Sequence, residues 1–382
     1  MQLAQLQQAL AQRAEQQLLR QPLTLDTYQG RYLQWQQQRY LNFSANDYLG
    51  LATEPEVLQA YADGAARYGA GSSGSPLVTG QHQVHRQLTA QLADWLGFER
   101  VLLFSSGFAA NQAMLLTLTD KQDVLLLDRL CHASLIDAAL HSPARMKRFA
   151  HNDSDALQRQ LVVEQQAMVV TEGVFSMDGD SPDLAAINQL CQQYQSPLLL
   201  DDAHGLGVQG EQGRGSWQQQ GLPATDIFCY MANFGKALGC GGAFLAGSKT
   251  VIDYLEQFAR HYVFSTGLSP ALCAAISKSI ELCRNQPWRR EKLAENIALF
   301  RRLAAAAELP VLNSTSAIQA VVLGAADKAV DTSQRLRQQH LWLTAIRPPT
   351  VAPNTSRLRI TLSSQHQPED IRYLVSQLQQ CL

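Results

Sequence analysis

The sequence predicts an α/β chain whose large domain is a mainly parallel, doubly wound sheet and whose smaller second domain is α+β. Three observations lead there. Between residues 80 and 250, short apolar runs alternate with longer amphipathic ones, the rhythm of βα units. Those runs are apolar at consecutive positions, as strands buried on both faces require. After Pro270 the pattern changes to long helical segments with only a few further apolar runs.

Taken in order, a helix is expected over 84–96. Strands are expected at Val101-Leu-Leu-Phe104, Val124-Leu-Leu-Leu127, Met168-Val-Val-Thr171, Leu198-Leu-Leu-Asp201, Ile227-Phe-Cys-Tyr230 and Ala243-Phe-Leu-Ala246. Helices follow over 271–284 and 289–307, then apolar runs at 317–323, 341–346 and 358–362. The organisation read from this is an N-terminal helix and arm (1–40), a large domain (41–286) and a small C-terminal domain (287–382), with a border near Asn285-Gln-Pro287. Leu3, Leu6, Leu10 and Leu18 fall on an approximately helical period among glutamines, without the continuous apolar core of a signal peptide.

Composition removes whole classes of function. With 46% hydrophobic and 17% charged residues in 382, the chain has globular and not disordered composition. Its 31 basic residues against 33 acidic ones give a net charge of −2, which offers no bulk field for nucleic acid or an anionic membrane. No apolar run approaches the roughly 18 residues of a membrane span. The seven cysteines are an odd number without a C-x-x-C pair or histidines at zinc spacing, so reduced thiols, a cytoplasmic protein and no metal are expected. His82 and His85 lack a carboxylate pattern for metal, and the scattered tryptophans do not form a stacking array.

Chemistry is expected where apolar strands stop, because open α/β sheets bind ligands at the carboxyl ends of their strands. Leu198-Leu-Leu-Asp201-Asp202-Ala-His204 places acids and an imidazole there, although an Asp in that position also serves as a helix cap. Asn233-Phe-Gly-Lys236-Ala-Leu-Gly-Cys-Gly-Gly242 sets one lysine in a glycine-flanked loop between two strands. Glycines allow close backbone approach and apolar neighbours desolvate the amine, which makes Lys236 a Schiff-base candidate and pyridoxal phosphate its natural partner. That cofactor asks for a lysine, a carboxylate at its ring nitrogen, a stacking ring and phosphate donors. Asp201 can be the carboxylate and His132 the ring. Ser105-Ser-Gly-Phe-Ala-Ala-Asn111, where a strand turns into a helix start, supplies free N–H groups.

Six ordered landmarks then identify a resemblance that runs almost end to end. They are Asn42-Phe-Ser-Ala-Asn-Asp-Tyr-Leu-Gly50, Ser105-Ser-Gly-Phe-Ala-Ala-Asn111, Thr171-Glu-Gly-Val-Phe-Ser-Met-Asp-Gly-Asp180, Asp201-Asp-Ala-His-Gly205, Phe234-Gly-Lys236 and Arg347-Pro-Pro-Thr350. The chain resembles the α-oxoamine synthases, pyridoxal-phosphate enzymes of the aspartate-aminotransferase-like fold (fold type I). The resemblance implies that Lys236 carries the cofactor, Asp201 pairs with its ring nitrogen and His132 stacks on the ring. Gly107 and Phe108 would hold the phosphate through N–H groups. Ser176 and His204 would hydrogen-bond the cofactor, and Thr266 would complete the phosphate site of a neighbouring subunit in a homodimer. Arg347 is implied for the amino-acid carboxylate, and Asn46, Arg20 and Thr350 for substrate, in a decarboxylative condensation of L-alanine with a pimeloyl thioester on acyl-carrier protein or coenzyme A. Arg347 also reads as a structural ion pair, and Arg20 as a basic helix end.

One departure stands out: family members carry Thr or Ser three residues before the lysine, and this chain has Asn233, whose longer amide can still donate. Gly205-Leu-Gly207-Val-Gln-Gly210 fits a dinucleotide fingerprint, but Glu211-Gln-Gly-Arg-Gly215 continues as a glycine-rich loop where a helix should open. The alternatives that stay open are another α-oxoamine synthase, such as a glycine acetyltransferase, and a catalytically silent binding protein of the same fold.

Overall fold

A computed structural model describes residues 2–16 and 18–382; Met1 and Gln17, within the expected N-terminal segment 1–40, lie outside the described residues. A helix, Leu3–Glu15, buries none of its residues, and Leu3, Leu6 and Leu10 are exposed. Strands β1 (Thr27–Gln29), β2 (Tyr32–Trp35) and β3 (Gln38–Asn42) form an antiparallel meander that the sequence reading left out.

Seven strands build the central sheet: β4 (Arg100–Phe104), β5 (Val124–Asp128), β6 (Arg145–Phe149), β7 (Met168–Glu172), β8 (Leu198–Asp201), β9 (Cys229–Asn233) and β10 (Ala243–Gly247). Their order is β4-β10-β9-β8-β7-β5-β6. The pairs from β9 through β8, β7 and β5 to β6 are parallel, while β10 runs antiparallel to both β4 and β9. The core lies on this sheet: Leu125, Leu127, Val170, Leu199, Met231 and Leu245 pack with Ala110, Met114 and Leu135 from covering helices, all essentially inaccessible to water. β9 starts two residues later than expected because Ala224–Asp226 makes a 3₁₀ turn first. The glycine-rich stretch after β8 forms turns and the short 3₁₀ segment Glu211–Gly213.

Further expected elements are present. The expected helices appear at Gln83–Leu96, Pro270–Asn285 and Trp288–Ala306. Strand β11 (Ile318–Gly324) follows, and the run 341–346 divides into β12 (Leu341–Trp342), parallel to β3, and β13 (Thr344–Ile346), antiparallel to β14 (Ser356–Thr361). The helix Pro368–Cys381 ends the chain. Two compact units result. One contains Asp47–Ser176 and Asp180–Glu291, and the other Met1–Asn46, Met177–Gly179 and Lys292–Leu382. The segment read as a separate arm thus groups with the C-terminal residues. All seven cysteines are free, and among the described residues no helix is long and apolar enough to cross a membrane.

Candidate active site

In the larger unit, the carboxyl ends of β7, β8 and β9 and the start of the helix Gly107–Thr117 surround a cavity of about 200 Å³. Gly107, Phe108, His132, Asp201, His204, Asn233 and Lys236 all line it. Seven residues proposed from sequence, spread over 130 positions, therefore meet around one space. Parallel strands explain the convergence, since each delivers its last residue to the same edge of the sheet.

Asp201 ends β8 and is buried. Its Oδ2 accepts from Asn111 Nδ2 at 2.8 Å and its Oδ1 from the Ala203 N–H at 3.0 Å, two donors that fix the carboxylate in place. The same Asn111 amide donates to Ser134 Oγ at 2.9 Å, and Ser134 Oγ lies 2.8 Å from His132 Nδ1. The Ser134 N–H adds a bond to that nitrogen at 3.2 Å, because His132 caps the helix Ala133–His141. Burial lowers the His132 pKa; the Asp201 charge opposes this and the Lys236 amine adds to it, so the ring is neutral at pH 7.

Glu172 also lines the cavity, one strand over and in register with Asp201. Its Oε1 accepts the His132 N–H. Burial, reinforced by the neighbouring Asp201 charge, raises its pKa well above that of a free carboxylic acid, which favours the neutral form. His204 Nδ1 is held by Tyr48 Oη at 2.6 Å. Behind the cavity, buried Asp202 accepts from Ser216 N and Oγ, both at 2.8 Å, and from Tyr230 Oη at 3.1 Å; burial lifts its pKa to about 7. A side chain on Gly205 would collide with the Asp202 carboxylate, so this packing ties the loop after β8 in place.

The helix Gly107–Thr117 opens toward the cavity. Ser106 takes the N–H of Ala109 on its hydroxyl and that of Ala110 on its carbonyl, which leaves the Gly107 and Phe108 N–H groups for an outside acceptor. A Cβ at Gly107 would lie 3.6 Å from Asn233 Nδ2, in ordinary contact, which places the Asn233 amide beside the helix start. Gly235 N–H binds Asn233 Oδ1 at 3.2 Å, and this orients the amide so that its NH₂ remains the donor. An amine, an anchored carboxylate, an uncharged ring and an anion-binding helix start fit pyridoxal phosphate, and Asn233 is compatible with that fit.

Other sequence candidates lie elsewhere. Ser176 is half-buried on the loop after β7 and Thr266 is exposed; neither lines the cavity. Arg20, Arg347 and Thr350 belong to the smaller unit, where they line a groove of about 430 Å³. Arg20 Nη2 donates to Thr350 Oγ1 at 2.9 Å. Arg20 is not a helix end, because the first helix stops at Glu15. Asn46 lines neither space, and its Oδ1 accepts from Arg359 Nη1 at 3.1 Å. His85 is a packing residue whose Nε2 lies 2.7 Å from the Leu268 carbonyl. Sequence reading gave no role to Asn111, Ser134, Glu172 or Tyr48. The available signal was strongest for Glu172, an acid ending an apolar strand as Asp201 does.

A cavity of this chemistry at the strand ends of a mainly parallel sheet defines a pyridoxal-phosphate enzyme of fold type I. The aminotransferase class I and II family profile matches residues 38–378, and the chain belongs to that family. It belongs, more narrowly, with the 8-amino-7-oxononanoate synthases, acyltransferases of biotin biosynthesis. The protein of that name from Sodalis glossinidius is 48% identical over 98% of this chain and 97% of its own length. Its counterpart from Vibrio vulnificus is 49% identical over 97% and 96%. Among solved structures, a serine palmitoyltransferase from S. paucimobilis with a bound PLP–myriocin aldimine superposes with a TM-score of 0.94 at 25% identity, covering 99% of this chain and 98% of that one. The 8-amino-7-oxononanoate synthase of Francisella tularensis gives 0.80 at 28% identity, covering 89% and 97%.

Proposed function

We propose that the chain condenses L-alanine with a pimeloyl thioester, borne on acyl-carrier protein or coenzyme A, releasing carbon dioxide and the free thiol and forming 8-amino-7-oxononanoate. We further propose that it acts as a cytoplasmic homodimer. The observation that supports the reading most is the meeting of Lys236, Asp201 and the His132 ring around one cavity.

When bound, pyridoxal phosphate supplies an aldehyde for the amino group of the substrate and a ring that accepts the electrons released at its Cα. Lys236 Nζ would supply the amine for that aldehyde and, once released, the base for the Cα proton. The Asp201 carboxylate, held by its two donors, would favour a proton on a ring nitrogen placed against it. His132 offers an imidazole face for stacking, and because it is uncharged it does not oppose that proton. Gly107 and Phe108 N–H groups, with the Asn233 amide, would hold the phosphate and His204 would hydrogen-bond the cofactor; by family resemblance Ser176, which does not itself line the cavity, would add a hydrogen bond and Thr266 would serve the neighbouring subunit. By family resemblance Arg347 takes the substrate carboxylate, with Arg20, Thr350 and Asn46 as further substrate contacts.

Steady-state thiol release, with the product identified by mass, tests the proposal. Release that requires both L-alanine and a pimeloyl thioester is expected. Faster turnover with glycine and acetyl-CoA would reassign the chain to another α-oxoamine synthase, and no turnover with any pair would leave a silent binding protein.

A further inference from the structure

Two residues after β6, His151 lies between two acids. Its Nδ1 is 2.8 Å from Asp128 Oδ1 and its Nε2 is 2.8 Å from Asp180 Oδ2. Ionised carboxylates only accept, so both ring nitrogens donate and the imidazole is the doubly protonated cation. Burial works against that charge, but the hydrogen bonds and attraction of the two acids outweigh it and raise the His151 pKa to about 10. Asn152 reinforces the bridge, its N–H donating to Asp128 Oδ2 at 2.9 Å and its Nδ2 to Asp180 Oδ2 at 2.8 Å. The His151 ring stands edge-on to Phe175, with centroids 4.4 Å apart.

What the two acids hold makes the bridge more than a local ion pair. Asp128 ends β5, its Oδ1 takes the Leu130 N–H at 2.8 Å and its carbonyl takes the Cys131 N–H at 3.2 Å, which shapes the turn into His132. The Asp180 carbonyl takes the Phe175 N–H at 2.9 Å and so closes the loop that carries Ser176. We propose that His151 is a positioning residue for cofactor binding, a cationic tie between the turn that presents His132 and the loop that presents Ser176. The inference rests on the cofactor roles given above to those two residues.

The test compares holoenzymes of wild type, His151→Asn and Asp180→Asn by three readouts. These are the rate of pyridoxal-phosphate loss on dilution, the visible circular dichroism of the bound cofactor and amide hydrogen exchange. Expected for His151→Asn are at least tenfold faster loss, a changed dichroic band, and faster exchange at 129–132 and 174–176 with exchange in β8 unchanged. Asp180→Asn keeps the side-chain shape and decides the matter where His151→Asn does not fold, with at least threefold faster loss expected. Loss within twofold of wild type and an unaltered band in the folded variants would overturn the proposal while leaving the proposed reaction intact. A wild-type protein that binds no pyridoxal phosphate would overturn both.

Discussion

Glu172 and Asp201 end neighbouring strands in register, yet the protein holds them differently. Asp201 receives two N–H donors, whereas Glu172 receives one and is deeply buried beside the Asp201 charge. Glu172 so placed favours its neutral form. Replacing Glu172 with Gln imitates the neutral acid and retains the acceptor for the His132 N–H, so kcat should stay within about twofold of wild type. Asp201→Asn removes the charge that favours a ring-nitrogen proton, and kcat should fall by roughly 10²–10³-fold, the scale of losing one preorganised electrostatic contact. Steady-state kinetics on both variants checks this, and a Gln variant as impaired as the Asn variant would show that Glu172 works as an anion. The sequence made Asp201, His132 and Lys236 legible because each follows an apolar run or lies among glycines. It did not reveal the Asn111–Ser134–His132 chain, because only the fold brings those three polar groups together.

Among the elements, the segment linking β14 to the helix Pro368–Cys381 holds a buried histidine. His366 Nδ1 accepts the Ser363 N–H at 3.0 Å, its Nε2 lies 3.0 Å from the Asn42 carbonyl, and its ring stacks on Phe43 at 4.2 Å. One neutral tautomer satisfies both contacts and a second proton would destroy the first, while burial lowers the pKa to about 4. A base whose folded pKa lies below its unfolded value of about 6.5 stabilises the fold fully above pH 6.5. That contribution is lost as pH falls from there through 4, by on the order of 3 kcal/mol. Urea unfolding of wild type and His366→Asn between pH 4 and 7 should show a flatter profile for the variant; parallel profiles would refute the assignment. Elements with continuous apolar runs, such as β5, β7 and β8, were legible in advance. The missed strand β6, Arg-Met-Lys-Arg-Phe, is a sheet edge with mostly part-exposed side chains. The missed meander β1–β3 is short and mixes polar and aromatic residues, since only a few of its side chains, among them Leu33 and Tyr40, reach a core. Neither carries the signal of double-sided burial.

For the whole molecule, the exposure of Thr266 outside its own cavity and of Leu3, Leu6 and Leu10 on a helix with no buried residue agrees with the proposed homodimer. Sedimentation equilibrium should return twice the 42.2 kDa chain mass, and a fully active species of single-chain mass would contradict the dimer. The central claim is chemical: the cavity at the strand ends is built around a lysine that binds pyridoxal phosphate covalently through its amine. Borohydride reduction of the holoenzyme followed by peptide mapping tests it most directly. The account predicts a stable phosphopyridoxyl group on the peptide containing Lys236 and on no other, whereas an unmodified Lys236 peptide, or a label on a different lysine, would contradict it.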